Sequence, residues 1–176
     1  MLSLHTKVEH ADEVHDVLVL PYDQRERCRQ RALLASGEEV ALFLVRGTVL
    51  RDGELLTGSG EGDRESAGAR VVRVEAALEP TYLVRCPDAT QLARCAFHLG
   101  NRHTQTQVGP GWLRIRVDPV LREMVEGLGA EVSEERAKFE PEAGAYAGGH
   151  GHGHGADSLL APVPLRQKIH RPSDAA

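Results

Sequence analysis

From Asp88 to His103 the chain reads DATQLARCAFHLGNRH, and this stretch decides how the second half of the molecule folds. Asp88 is a strong helix N-cap, because its short carboxylate accepts the orphan N–H groups of a first turn. Behind it Ala89, Leu92, Ala96 and Leu99 recur at helical spacing and predict one apolar stripe. Gly100 or Asn101 should end the helix, since both tolerate the left-handed conformation of a helix C-terminus. Working outward, Tyr82-Leu83-Val84 reads as a strand halted by Pro87, and Trp112 to Val117 as another. Asp118-Pro119 opens a second helix with Pro119 at its first position. That helix carries Val120, Leu121, Met124, Val125 and Leu128, and Gly129 closes it. Ala130 to Ser133 starts a last strand, and an extra strand fits near Gln105–Val108. Strand, helix, strand, strand, helix, strand is the order of a ferredoxin-like βαββαβ domain, expected over residues 77–141.

Residues 1–76 read as an all-β domain, which makes the chain α+β. Val17 to Leu20 is a strand ended by Pro21. Arg25, Arg27, Arg29 and Arg31 alternate by two, which predicts one arginine face on a strand. Such a face is usually solvated; its functional reading is a docking surface for an acidic protein segment. Ser36-Gly37 is a turn, with Glu38–Val45 the returning strand. Asp52-Gly53 is a second tight turn, expected to join strands at Thr48–Leu50 and Glu54–Leu56. Gly58 to Gly68 is rich in glycine and charge and reads as a loop, and Ala69–Leu78 returns to alternation. Short strands with regular turns predict a small sandwich or barrel. Residues 142–176 are dominated by Gly, Ala, His and Pro, and are expected to be a disordered histidine-bearing tail without metal.

The chain has 176 residues, a formal charge of −5 and only 4% aromatics, so its core must rest on Val, Leu and Ala. An acidic balance argues against nucleic acid or an anionic membrane as partner. Cys28, Cys86 and Cys95 are odd in number and widely spaced, with no CxxC pair and no zinc-finger spacing, so a reducing intracellular compartment is expected. No signal-peptide core opens the sequence and no apolar run could span a bilayer, so a cytoplasmic protein is expected.

Nine histidines occur, and five lie in two places: His98 and His103, and the alternating run His150, His152 and His154. Neutral imidazole suits nickel, copper and zinc. On an ideal helix, five residues put His98 and His103 about 140° apart, so they cannot share one ion. His103 therefore needs a ligand from elsewhere, and a twofold dimer would supply its own copy. The plain reading is a helix-terminal histidine favoured by the dipole. In the tail, glycine between histidines lets the backbone wrap an ion, at an ordering cost of about 1–2 kcal/mol per residue. Its plain reading is a low-complexity linker. His5, His10 and His15 recur every five residues, which fits neither helix nor strand and points to surface positions.

These residues together resemble the UreE family of urease accessory nickel metallochaperones. The resemblance rests on Leu20-Pro21-Tyr22-Asp23-Gln24-Arg25, on Arg46-Gly47-Thr48-Val49-Leu50-Arg51-Asp52-Gly53 and above all on His98-Leu99-Gly100-Asn101-Arg102-His103. It covers roughly residues 10 to 155. It implies a peptide-binding-like N-terminal domain and a C-terminal domain that forms a homodimer. It also implies that His103 is the interface nickel ligand, and that Ni(II) is cargo passed to urease apoprotein in complex with a partner GTPase. Zinc or copper would bind the same imidazoles in vitro. The strand Trp112–Asp118 lacks the extra histidines of some relatives, and His170 has no motif around it. His98 and His170 are thus secondary candidates. An enzyme is not expected, because neither a HExxH helix nor a Gly-x-Ser-x-Gly elbow is present. The competing function is a peptide-binding assembly module whose histidines merely buffer metal.

Overall fold

The computed structural model describes residues 1–60 and 70–143. Six strands of the first half form one sheet: β1 (Leu2–Val8), β2 (Asp16–Leu20), β3 (Arg29–Leu33), β4 (Glu39–Phe43), β5 (Leu55–Gly60) and β6 (Arg70–Ala76). Their order is β2-β6-β5-β1-β4-β3. The sheet is mixed, because β1 runs parallel to β4 and β2 parallel to β6. Its two ends curl together: Ala35 N–H, just past β3, donates to Val17 O of β2 at 2.8 Å. The curl gathers Leu4, Leu18, Leu42, Leu56 and Val74 into a single core. Each fully buried aliphatic side chain contributes roughly 1.5–3 kcal/mol.

Strand β1 was not expected, yet it is central. Across from β5 it carries a bulge at His5, since Leu4 faces Gly58 and Thr6 faces Thr57. Gly58 is dictated by this pairing: a Cβ there would lie 1.8 Å from Ser3 O. The arginine strand is corrected. Residues 22–25 form a short helix, α1 (Tyr22–Arg25), and the strand begins only at Arg29. The Asp52-Gly53 turn is present, with Glu54 N–H donating to Arg51 O and Gly53 at φ 85. Thr48–Leu50, however, is not a strand, and Leu50 is buried as a core plug whose N–H donates to Arg25 O. The predicted loop at Gly58–Gly68 starts later, because β5 runs to Gly60; its residues 61–68 lie outside the described residues.

The second half follows the expected order: β7 (Leu78–Arg85), α2 (Ala89–Gly100), β8 (Gln107–Gly109), β9 (Trp112–Arg116), α3 (Pro119–Gly127) and β10 (Glu131–Lys138). The sheet order is β10-β7-β9-β8, with every neighbour antiparallel. That is the arrangement a split βαβ topology produces. Asp88 accepts from Gln91 N–H, and Asp118 from Val120 and Leu121 N–H, so both caps form as read. Cys95, Leu99, Leu113, Ile115 and Val125 fill the core between helices and sheet. Ala89 and Val120 were expected on the buried stripes but are exposed, at the outset of each helix.

A polar and aromatic junction joins the two sheets. Arg25 is 0% exposed; its guanidinium donates to Leu50 O at 3.0 Å, to Phe139 O and to the Glu140 carboxylate. Glu140 also takes Arg51, and Lys138 pairs with Asp52 at 2.9 Å. Burial opposes the Asp52 carboxylate, but Lys138 and the Ala76 N–H outweigh it and hold its pKa below the ordinary value. The Tyr22 and Phe139 rings meet edge to face at 5.5 Å. Among the described residues, no helix is long and apolar enough to cross a membrane.

Candidate metal centre

His103 sits where α2 ends, and the way it ends decides what the imidazole can do. Thr104 N–H donates to Leu99 O and His103 N–H to Gly100 O, the bond pair of a Schellman turn. The left-handed residue of that turn is His103, with φ 54, rather than the expected Gly100 or Asn101. Asn101 stays helical at φ −63. Histidine is among the few non-glycine residues enriched in this conformation, which still costs it of order 1–2 kcal/mol. The turn breaks the line of Ala96 and Leu99 and leaves the side chain exposed.

The exposed imidazole borders a shallow depression of about 340 Å³, lined also by Arg102, Gln105, Arg116, Val117, Asp118 and Leu121. Val117 at its rim is 45% exposed, and the neighbouring first turn of α3 adds Val120 at 73%. Two exposed valines thus stand beside one coordinating nitrogen, within a lining that is otherwise mostly polar. Asp118 is the carboxylate of the depression, a neighbour that sequence spacing did not suggest. One of its oxygens already caps α3, at 2.9 and 3.1 Å from two N–H groups. Among the described residues no three His, Cys, Asp or Glu side chains converge on one point. His103 therefore offers a monodentate position and not a complete site.

The other candidates are placed apart. His98 is half-buried, packed edge to face against Phe97 at 5.5 Å, and does not line the depression. His5, His10 and His15 are exposed, as expected. His150, His152, His154 and His170 lie outside the described residues. Cys86 and Cys95 approach each other as free thiols in the core; burial, and then the neighbouring Cys95, push the Cys86 thiol up to about 11. A thiol so held carries little thiolate at neutral pH. Of the four arginines read as one face, Arg25 is buried in the junction and Arg27 pairs with Asp23 at 3.3 Å. Arg29 and Arg31 alone share a strand face, exposed on β3.

The fold and site define a two-domain protein: a curled β-sheet domain followed by a split βαβ domain that ends its first helix on an exposed histidine. Residues 3–77 match the UreE urease accessory protein N-terminal domain, and residues 79–171 match the UreE urease accessory protein C-terminal domain. The urease accessory protein UreE of Janthinobacterium sp. (strain Marseille) is 61% identical over 177 residues, covering 100% of this chain and 99% of the relative. That of Nitrosospira multiformis is 57% identical over 180 residues, covering 99% and 98%. That of Burkholderia thailandensis is 54% identical over 133 residues, covering 76% of this chain and 59% of the relative. The chain belongs to the UreE urease accessory protein family.

Proposed function

We propose that this chain is a nickel metallochaperone of urease maturation, carrying Ni(II) as cargo in the cytoplasm and not acting as a catalyst. The observation that carries the reading is His103: an imidazole held outward by a left-handed helix end, beside the exposed Val117 and Val120, with no group of three metal-ligating side chains around it among the described residues. A monodentate imidazole binds nickel tightly only if further ligands complete the coordination, and a second protomer supplies one by symmetry. We place that partner in a homodimer formed through the C-terminal domain, with the two copies of His103 on the twofold axis. The tail histidines His150, His152 and His154 then act as a weaker, exchangeable store, with His98 and His170 secondary at most. The apo-urease and its maturation GTPase are the receiving complex.

Nickel titration with oligomeric mass measured in parallel tests this. Native protein should hold one tight Ni(II) per dimer. His103→Asn is the informative variant, because asparagine tolerates the left-handed turn while replacing the imidazole by a poor nickel ligand. It should remain folded and lose that site, whereas His98→Ala should keep it. A His103→Asn protein that still holds one tight nickel per dimer refutes the assignment. Full urease activation by the same variant in a reconstituted assembly assay would favour the peptide-binding assembly module, with its metal binding incidental.

A further inference from the structure

Seven of the fifteen arginines of the described residues have a carboxylate at hand, among them Arg51, Arg70, Arg114 and Arg122 within 3.2 Å of one. The β3–β4 hairpin gathers three that do not. Arg29 and Arg31 project from the exposed face of β3 beside Leu33, and Arg46 follows β4. Directly across the pair, Phe43 faces Arg29. Leu33 is 60% exposed, Phe43 52% and Val45 79%. Among the described residues, none of the three arginines has an ion pair, and no cation covers the Phe43 ring. An acidic chain has thus left uncompensated positive charge around a cluster of solvent-facing apolar groups, a combination that marks an interaction surface.

We infer that the outer face of the β3–β4 hairpin docks an extended acidic segment of another protein that carries large apolar side chains. The guanidinium groups take carboxylates in forked, charge-assisted pairs, while Leu33, Phe43 and Val45 supply the apolar contact. From Arg29 to Leu33 the strand advances four residues, about 13 Å, which matches a segment of four or five extended residues. A second copy of this chain fits poorly, because a twofold contact on this face would bring Arg29 and Arg31 toward their own equivalents. Glu39, opposite Leu33, puts a carboxylate at the far end of the face, which sets the acidic side chains of a docked segment toward Arg29 and Arg31. This surface is independent of the nickel site.

The test is fluorescence anisotropy on the full-length protein. The probe is a labelled heptapeptide in which glutamate alternates with leucine and phenylalanine. Comparison probes replace glutamate by lysine, replace the apolar residues by serine, or are an oligothymidine strand. Saturable binding of the acidic–apolar peptide is expected, at least about tenfold tighter than that of any comparison probe. The Arg29→Ser/Arg31→Ser protein and the Phe43→Ser protein should each bind it about tenfold more weakly, with unchanged far-UV circular dichroism and nickel stoichiometry. Since all three side chains are exposed, these variants fold. No saturable binding up to about 1 mM, equal affinity for the lysine peptide, preference for the oligonucleotide, or variants that bind like the native protein would each overturn the inference. Because nickel stoichiometry is read separately, failure here is distinguishable from failure of the metallochaperone reading.

Discussion

Replacing Arg25 by alanine removes the one charged side chain that is fully buried among the described residues, and its cost can be worked from the contacts it leaves. Leu50 O and Phe139 O each lose the guanidinium donor, at about 1–3 kcal/mol per buried acceptor left unpaired. Breaking a buried ion pair ordinarily adds about 3–5 kcal/mol, but only when the remaining charge is stranded. Here Glu140 is not: Arg51 stays at 3.2 Å and the Asp52 N–H at 3.3 Å. Against this, Arg25 Nε is buried without a hydrogen-bond partner, and its removal relieves part of that penalty. The net expectation is a loss of about 3–4 kcal/mol. Urea unfolding followed by far-UV circular dichroism measures it. Arg27→Ala is the control, since the exposed Arg27–Asp23 pair should be worth no more than about 0.5 kcal/mol. The Arg25→Ala/Glu140→Ala double variant should be less destabilised than the sum, by about 1–3 kcal/mol for groups in direct contact. An Arg25→Ala protein within about 1 kcal/mol of the native one, or no worse than Arg27→Ala, would show that the junction does not depend on this cation.

Three further outcomes are expected. Gly58→Ala drives a methyl to 1.8 Å from Ser3 O and must spread the β1–β5 pair, so thermal and urea unfolding should report a loss of about 3 kcal/mol; a native-like midpoint would contradict the close approach. Raising the Cys86 thiol from 9.0 to about 11 leaves about a hundredfold less thiolate at neutral pH, so iodoacetamide should label Cys86 far faster in urea than in the native protein, and equal rates would refute the burial argument. Truncation before His150 should lower total nickel bound at pH near 7.5 while sparing the tight site. Because metal binding needs unprotonated imidazole, titrating near about 6.5 in model peptides, the tail-dependent ions should be the ones lost as pH falls toward about 6. Calorimetry that counts equal ions with and without the tail would reduce it to a linker.

The second domain was legible because its signals are local. Asp88, Asp118, Pro119 and Gly129 each mark an end by chemistry that acts within four residues, and the structure uses all four that way. The first domain was legible only as β. Its central strand β1 pairs with residues nearly forty and more than fifty positions away, and no short-range pattern announces such partners. The arginine alternation misled for a related reason. Four equally spaced cations fit a strand, but the deciding partner of Arg25 is Glu140, 115 residues distant, and it draws that one side chain into the interior. At the candidate site the histidine itself stood out, whereas its left-handed backbone did not. Gly100 and Asn101 are the residues that favour that conformation, and the helix passes through both before it turns.

The φ of 54 at His103 ties two demands to a single residue. Glycine would relax the turn at no steric cost, yet it has no nitrogen to give a metal. Any mutational screen that rewards only folding would therefore drift toward glycine here and away from the function proposed for this position. Asparagine would be the nearest compromise and would mislead in the same direction. A stabilised variant of this protein, or an ancestral reconstruction chosen for solubility, has to be inspected at this one codon before its loss of cargo is blamed on anything else.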